Sequence, residues 1–373
     1  MSEVQSTVVP GISQDTNDSV VLKNVPLSNV SIEDIYVLKK KIGEGSFGQV
    51  RLGIHKDTNQ KHAIKIINKL SLAKNQKEMV NREVEILRLI SHSNVVQLVN
   101  VYENSSFVYI VMELMEGGEL LDHIGEDGFP EHEVAGFMRE LVSAVRYLHS
   151  LGIVHRDIKL ENAMFSRKER PCSVKLIDFG LAIRLAPGEM LNTQVGSPDY
   201  CAPEILMGGK YGIEVDMWSL GVLMYLLISA SFPFEHPNGS KMVQKILAGK
   251  FSFSEEEGWD RVSDDAKDLI LHLLVVNPKE RYTAEQALEH PWFETAWNAG
   301  MKRSPSWSGL LSSIKTKILP LPEPLVKCAS CNQFFEIAEI TQHYELCVMT
   351  HTVDNKYLHR FKVQQPVLEL TDT

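Results

Sequence analysis

From Tyr36 onward, short runs of β-branched and apolar residues at 37–42, 50–54 and 63–67 are separated by turn signals, among them Lys56-Asp57-Thr58-Asn59. Closely spaced runs of this kind predict consecutive antiparallel strands, each with one face on a core. The period then changes. Between 78 and 90, apolar side chains return at Val80, Val84, Leu87 and Ile90, which puts them on one face of a helix. The apolar run 107–113 has strand length, Val134, Phe137, Met138, Leu141, Val145 and Leu148 mark a long amphipathic helix, and 174–177 reads as another short strand. From Asp216 to Ser229 nearly every position is apolar, which predicts a buried helix too short to span a bilayer. Strands in front and helices behind make the expected class α+β.

Residues 1–34 are rich in Ser, Thr, Asn, Asp and Gln without a sustained period, so a flexible tail is expected ahead of a domain at 35–293. A stretch at 294–325, with Lys302-Arg303-Ser304-Pro305-Ser306 and several prolines, reads as a linker to a small unit at 326–350 and a tail at 351–373. A chain of 373 residues with 44% hydrophobic content suits two or three domains and excludes wholesale disorder. The formal charge of -10 argues against broad nucleic-acid binding and against an anionic membrane surface, since both need a basic face. The start, Met1-Ser2-Glu3-Val4-Gln5, shows neither a basic region nor an apolar run, so no signal peptide is expected. Five cysteines, three of them crowded near the C-terminus beside a histidine, fit a reducing compartment with a metal site, and hence a cytoplasmic or nuclear location.

The chemistry concentrates in His155-Arg156-Asp157-Ile158-Lys159-Leu160-Glu161-Asn162. Phosphoryl transfer needs a carboxylate that accepts a proton from the attacking hydroxyl, a cation on the transferred phosphate and oxygen ligands for magnesium. Asp157, Lys159 and Asn162 supply those parts in that order. Asp178-Phe179-Gly180 and Ala202-Pro203-Glu204 follow, while Gly43-Glu44-Gly45-Ser46-Phe47-Gly48-Gln49-Val50 and Ala63-Ile64-Lys65 precede. Gly43, Gly45 and Gly48 let the backbone approach phosphate oxygens, with Phe47 expected at the loop tip as a cap against water.

In their order and spacing these five motifs resemble those of eukaryotic protein kinases, over residues 36–293. The resemblance implies a bilobal fold, a small antiparallel β lobe at 35–115 and a larger helical lobe at 116–293, that transfers the γ-phosphate of ATP to protein serine or threonine. ATP would lie against Ile42 through Val50, Ala63 and Lys65, the latter paired with Glu83. Met112 resembles the gatekeeper, and the backbone of Glu113 and Met115 would face the adenine edge. Asn162 and Asp178 would ligate magnesium. Asp216 would bond the catalytic-loop backbone, and Arg281 would pair with Glu204. Thr193, three residues before Gly196-Ser197-Pro198, resembles the activating threonine of the AMP-activated group, to be phosphorylated by an upstream kinase and held by Arg156, with Arg184 as a second cation. Glu119 and Glu161 resemble the carboxylates with which basophilic kinases receive arginines before the target residue, and Ser197 also belongs to the substrate side. Lys159 and Gly117-Gly118-Glu119-Leu120 fit the serine/threonine branch, near the calcium/calmodulin-dependent and AMP-activated group. The alternative is a pseudokinase scaffold, which would have no need of intact magnesium ligands.

Cys328, Cys331, His343 and Cys347 form a second constellation. Two cysteines three apart fit a turn, and a histidine and cysteine four apart share a helix face, so four soft ligands with no open position indicate structural Zn2+. The spacing resembles ββα ubiquitin-binding zinc fingers, with Glu345 where those carry an aspartate. Ubiquitin binding, nucleic-acid binding and bracing of the neighbouring domain all remain compatible with it.

Overall fold

The computed structural model describes residues 31–45, 47–169, 172–255 and 258–301. Ser46 and the four presumed zinc ligands lie outside the described residues. A short helix α1 (Ile32–Ile35) opens the described chain. Its Ile32 is fully buried with Tyr36, Ile64, Tyr102, Tyr109 and Val111 on one face of the sheet that follows. The folded unit thus begins inside the segment assigned to the tail, because Ile32 finds a core that no periodicity in 1–34 announces.

That sheet runs β1 (Tyr36–Gly45), β2 (Gly48–His55), β3 (Lys61–Asn68), β4 (Leu98–Glu103) and β5 (Phe107–Glu113), antiparallel throughout in the order β1-β2-β3-β5-β4. Helix α2 (Lys74–Leu89) begins four residues earlier than expected, with Gln76 closing its N-terminus by accepting the Ala73 N–H. Its buried face of Val80, Val84 and Leu87 joins Ile67, Val101, Ile110 and Met112 in a core continuous with the second lobe. Strand β4 was not legible in the sequence. Exposed Val99 and a register shift between Leu98 and Asn100 interrupt the alternation by which a strand is recognised.

The second lobe is built on α3 (Glu131–Ser150) and α5 (Glu214–Ser229). Every apolar residue expected on α3 is buried, and α5 is buried from Val215 through Ser229. Between them, β6 (Ile153–Val154) pairs with β9 (Ile183–Arg184), and β7 (Ala163–Phe165) with β8 (Val174–Leu176). These two small ladders present the 155–162 loop and Asp178 to the same cleft. Helix α4 (Pro203–Leu206) closes the activation segment, and α6 (Gly239–Leu247), α7 (Asp264–Leu273), α8 (Ala284–Leu288) and α9 (Trp292–Met301) complete the lobe.

Candidate active site

The catalytic loop is fixed from below. Asp216, fully buried on α5, accepts the backbone N–H groups of His155 and Arg156 at 2.9 Å each, and also bonds His149 Nε2 at 2.9 Å. Burial opposes ionisation of this carboxyl, but its bonds to His149 and the nearby His155 outweigh burial and hold it below the usual carboxylate range. The brace holds Arg156 in the left-handed region at φ 68, a conformation costing a non-glycine residue about 1–3 kcal/mol.

Above it the sequence-predicted residues converge. Asp157 Oδ1 accepts the Ser197 hydroxyl at 3.1 Å, and Oδ2 meets Lys159 Nζ at 3.0 Å and Asn162 Nδ2 at 2.9 Å. Lys159 Nζ also donates to Ser197 Oγ at 3.0 Å. Asn162 Nδ2 further donates to the Asp157 carbonyl, so its amide oxygen is the atom left to face a cation. Lys65 Nζ lies 2.6 Å from Glu83 and 3.4 Å from Asp178. Burial alone would lower this ammonium, yet Asp178 and Glu83 raise it, so it stays charged. Burial likewise would raise Asp178, but Lys65, the Gly180 N–H and Lys159 hold it at about 2. An ionised aspartate beside an outward amide oxygen is a hard donor set that fits magnesium. Phe179 is fully buried with its ring 4.9 Å from His155, which keeps Asp178 turned into the cleft. A lysine–glutamate pair together with an inward aspartate resembles the assembled arrangement that protein kinases use for phosphoryl transfer.

The cleft between the lobes is lined by Ile42, Gly43, Glu44, Gly45, Val50, Ala63, Met112, Glu113 and Met115 around Lys65 and Glu83. A Cβ on Gly45 would lie 2.8 Å from Lys65 Cε, so any other residue there would push on the lysine that Glu83 holds. Two expectations for the loop need correcting. Phe47 stands at the tip between β1 and β2, but its ring does not cap the loop. It is buried among the core residues, and neither it nor Gly48 nor Gln49 lines the cleft. Gly48 is required for another reason: a Cβ there would fall 2.0 Å from the Ile66 carbonyl, so the glycine permits the close approach of β2 to β3. The sequence reading also missed Val96, Leu114, Met164 and Ile177, apolar walls of the cleft that carry no motif. It missed a second role for Glu113 as well. The Glu113 carboxylate accepts the Gln97 N–H at 2.8 Å and pairs with Lys175 at 2.7 Å, tying the hinge to both lobes.

Glu119 and Glu161 line the same cleft on the side of Asp157 and Lys159. Glu161 Oε2 is buried and makes no hydrogen bond. Burial raises its carboxyl to about 7 despite the opposing pull of Lys159. In the activation segment, Arg156 Nη1 donates to Thr193 Oγ1 at 2.9 Å, whereas Arg184 Nε is engaged with the Leu151 carbonyl at 3.1 Å. Glu204 receives both terminal nitrogens of Arg281 at 2.7 and 3.0 Å, and that guanidinium also stacks over Trp218. Among the described residues, Asp268, His272 and His290 approach one another closely enough to suggest a metal site. The Trp292 N–H on His290 Nδ1, however, puts the histidine proton on Nε2, which is spent on Asp268 at 3.0 Å.

Among the described residues no helix is long and apolar enough to cross a membrane. Residues 36–293 match the protein kinase domain model. The chain is 41% identical to myosin light chain kinase A of Dictyostelium discoideum over 265 residues, 71% of this chain and 90% of that protein. It is 40% identical to calcium/calmodulin-dependent protein kinase type 1 of Macrobrachium nipponense over 264 residues, 70% of this chain and 76% of the relative. It is 41% identical to human serine/threonine-protein kinase H1 over 287 residues, 76% of this chain and 66% of the relative. With a cleft that brings Lys65, Glu83, Asp157, Asn162 and Asp178 together, and with these relatives, the chain belongs to the protein kinase family as an ATP-dependent serine/threonine kinase.

Proposed function

We propose that this kinase, of the calcium/calmodulin-dependent-like group, phosphorylates serine or threonine preceded by arginine or lysine two or three positions upstream, and that phosphorylation of Thr193 activates it. The observation that carries the substrate reading is Glu161 Oε2, a buried acceptor without a donor at the edge of the cleft, with Glu119 lining the same cavity. An unsatisfied buried acceptor is costly, and a guanidinium from a substrate supplies the missing donors in a planar fork.

In the reaction Asp157 orients the substrate hydroxyl and accepts its proton, while Lys159, already bonded to Asp157 and Ser197, sets a positive charge beside the transferred group. Lys65 holds the nucleotide phosphates. Asn162 and Asp178 would hold magnesium, which would neutralise charge on those phosphates. Profiling the full chain on a peptide library tests the reading: enrichment of basic residues at the two upstream positions is expected, and a profile without it refutes the substrate part. Thr193→Ala should lower activity, and phosphatase treatment of fully modified protein should lower its rate.

The C-terminal ligands carry a separate proposal, supported by their spacing alone. Cys328, Cys331, His343 and Cys347 hold a structural zinc in a module that either binds ubiquitin through the neighbourhood of Glu345 or docks back on the kinase. Ubiquitin-induced NMR shifts in a zinc-loaded chain support the first outcome. A change of kinase activity in Cys331→Ala without such shifts supports the second.

A further inference from the structure

Tyr211 occupies a position that the reaction as described does not use. It lies beyond α4, is buried to 2% exposure, and its backbone bonds Leu191 in both directions at 2.8 Å, which ties it to the activation segment. Its hydroxyl donates to the Thr193 carbonyl at 2.6 Å and accepts from Arg156 Nη1 at 3.2 Å. It also lies 3.2 Å from Thr193 Oγ1. A phenol has one proton to give, and the short bond to the Thr193 carbonyl claims it. The Thr193 hydroxyl is then the donor toward Tyr211, and Arg156 the donor toward Thr193. The three side chains close a ring in which every proton is assigned, that of the Thr193 hydroxyl included.

We propose that Tyr211 is a positioning residue that docks the unmodified activation segment onto Arg156, so that its hydroxyl supports substrate binding in the unphosphorylated enzyme and becomes dispensable once Thr193 is phosphorylated. The change follows from the chemistry of the ester. Phosphorylation removes the Thr193 proton, and with it the donation to Tyr211. It also offers Arg156 charged oxygens, a stronger partner than a neutral hydroxyl. Arg156 is already held for that exchange, its Nε bonded to the Leu181 carbonyl at 2.7 Å and its backbone N–H to Asp216. Segment order thus passes from a ring in which Arg156 meets uncharged hydroxyls to an ion pair between the same two elements. The inference rests on the reading of Thr193 as an activating phosphosite only for its second half, the dispensability after phosphorylation.

Tyr211→Phe keeps the ring and the backbone bridge to Leu191 and removes one oxygen. The test compares full-length wild type and Tyr211→Phe in two forms each: dephosphorylated, and carrying phosphothreonine at 193 installed by genetic code expansion. In the dephosphorylated pair, kcat/KM for a peptide substrate should fall at least about tenfold, since the hydroxyl makes two neutral hydrogen bonds to Thr193 and accepts one charged bond from Arg156, with KM for ATP unchanged. In the phosphorylated pair the variant should lie within about twofold of wild type, on the same scale. Thermal unfolding of all four proteins checks that the fold is retained. An equal loss in both forms reduces Tyr211 to a structural residue and overturns the inference, as does an unimpaired dephosphorylated variant. Should phosphothreonine fail to activate wild type, the activation reading falls by itself, and the dephosphorylated pair still decides the role of Tyr211.

Discussion

Replacing Glu161 by Gln should make the protein more stable at pH 8 and, at the same pH, a poorer reader of basic peptides. The carboxyl is buried at the edge of the cleft, its Oε2 has no hydrogen-bond partner, and burial lifts it from 4.5 to about 7. Because the folded value lies above the unfolded one, the folded state keeps a proton between pH 4.5 and 7 that the unfolded chain has released. Stability therefore falls as pH rises through that window and levels off above it. At about 1.4 kcal/mol per unit, the ionised carboxylate costs the fold about 3 kcal/mol at pH 8 and almost nothing near pH 4.5. Glutamine does not ionise, so the stability difference between Glu161→Gln and wild type should grow by about 3 kcal/mol from pH 5 to pH 8. Urea unfolding without nucleotide or magnesium measures it in the state to which that carboxyl value refers. The functional arm runs the other way. Because the ionised carboxylate is the form that pairs with a guanidinium, the preference for a peptide with arginine two residues upstream over its alanine counterpart should rise from pH 6 to pH 8, and Glu161→Gln should abolish both the preference and its pH dependence. A stability difference that does not vary with pH would refute the burial argument. Undiminished arginine preference in the variant would remove Glu161 from the substrate site.

Asp157→Asn should lower turnover by about two to four orders of magnitude while ATP affinity stays close to wild type, since the proton acceptor is lost and the nucleotide cradle is not; single-turnover rates within tenfold of the parent would contradict the assignment. Glu204→Ala strands the Arg281 guanidinium, buried to 4% exposure, and should cost about 3–5 kcal/mol in urea unfolding, with a loss below about 1 kcal/mol showing that the other acceptors of Arg281 suffice. Purified full-length protein should carry one zinc atom per chain by plasma emission, and Cys331→Ala should carry none; a metal-free wild type would dismiss the zinc site.

The residues assigned to the chemistry were legible as a set because their spacing is dictated by local backbone geometry. Asp157, Lys159 and Asn162 belong to one loop, and Gly43 and Gly45 to one hairpin, so a reading of consecutive residues already contains their arrangement. The α3 stripe and the buried α5 were legible too, because periodicity reports burial directly when an element packs along its whole length. Tertiary structure decided what depends on residues far apart in the chain. Phe47 could cap the loop or enter the core as far as its neighbours tell, and the apolar cluster under the sheet settles the choice. Ile32 lies in a segment of tail-like composition, yet Tyr36, Tyr102 and Tyr109 provide it a pocket from three different strands. The Glu113–Lys175 tie and the ring of Arg156, Thr193 and Tyr211 have no sequence signature, since their members stand 62 residues apart in the first case and 37 and 18 in the second. Sequence alone determined which charged groups the cleft contains. Which of them are desolvated, and hence that Glu161 sits near 7 while Asp178 sits near 2, was decided only by the packing of the two lobes, because burial and neighbouring charge are properties of space and not of order along the chain.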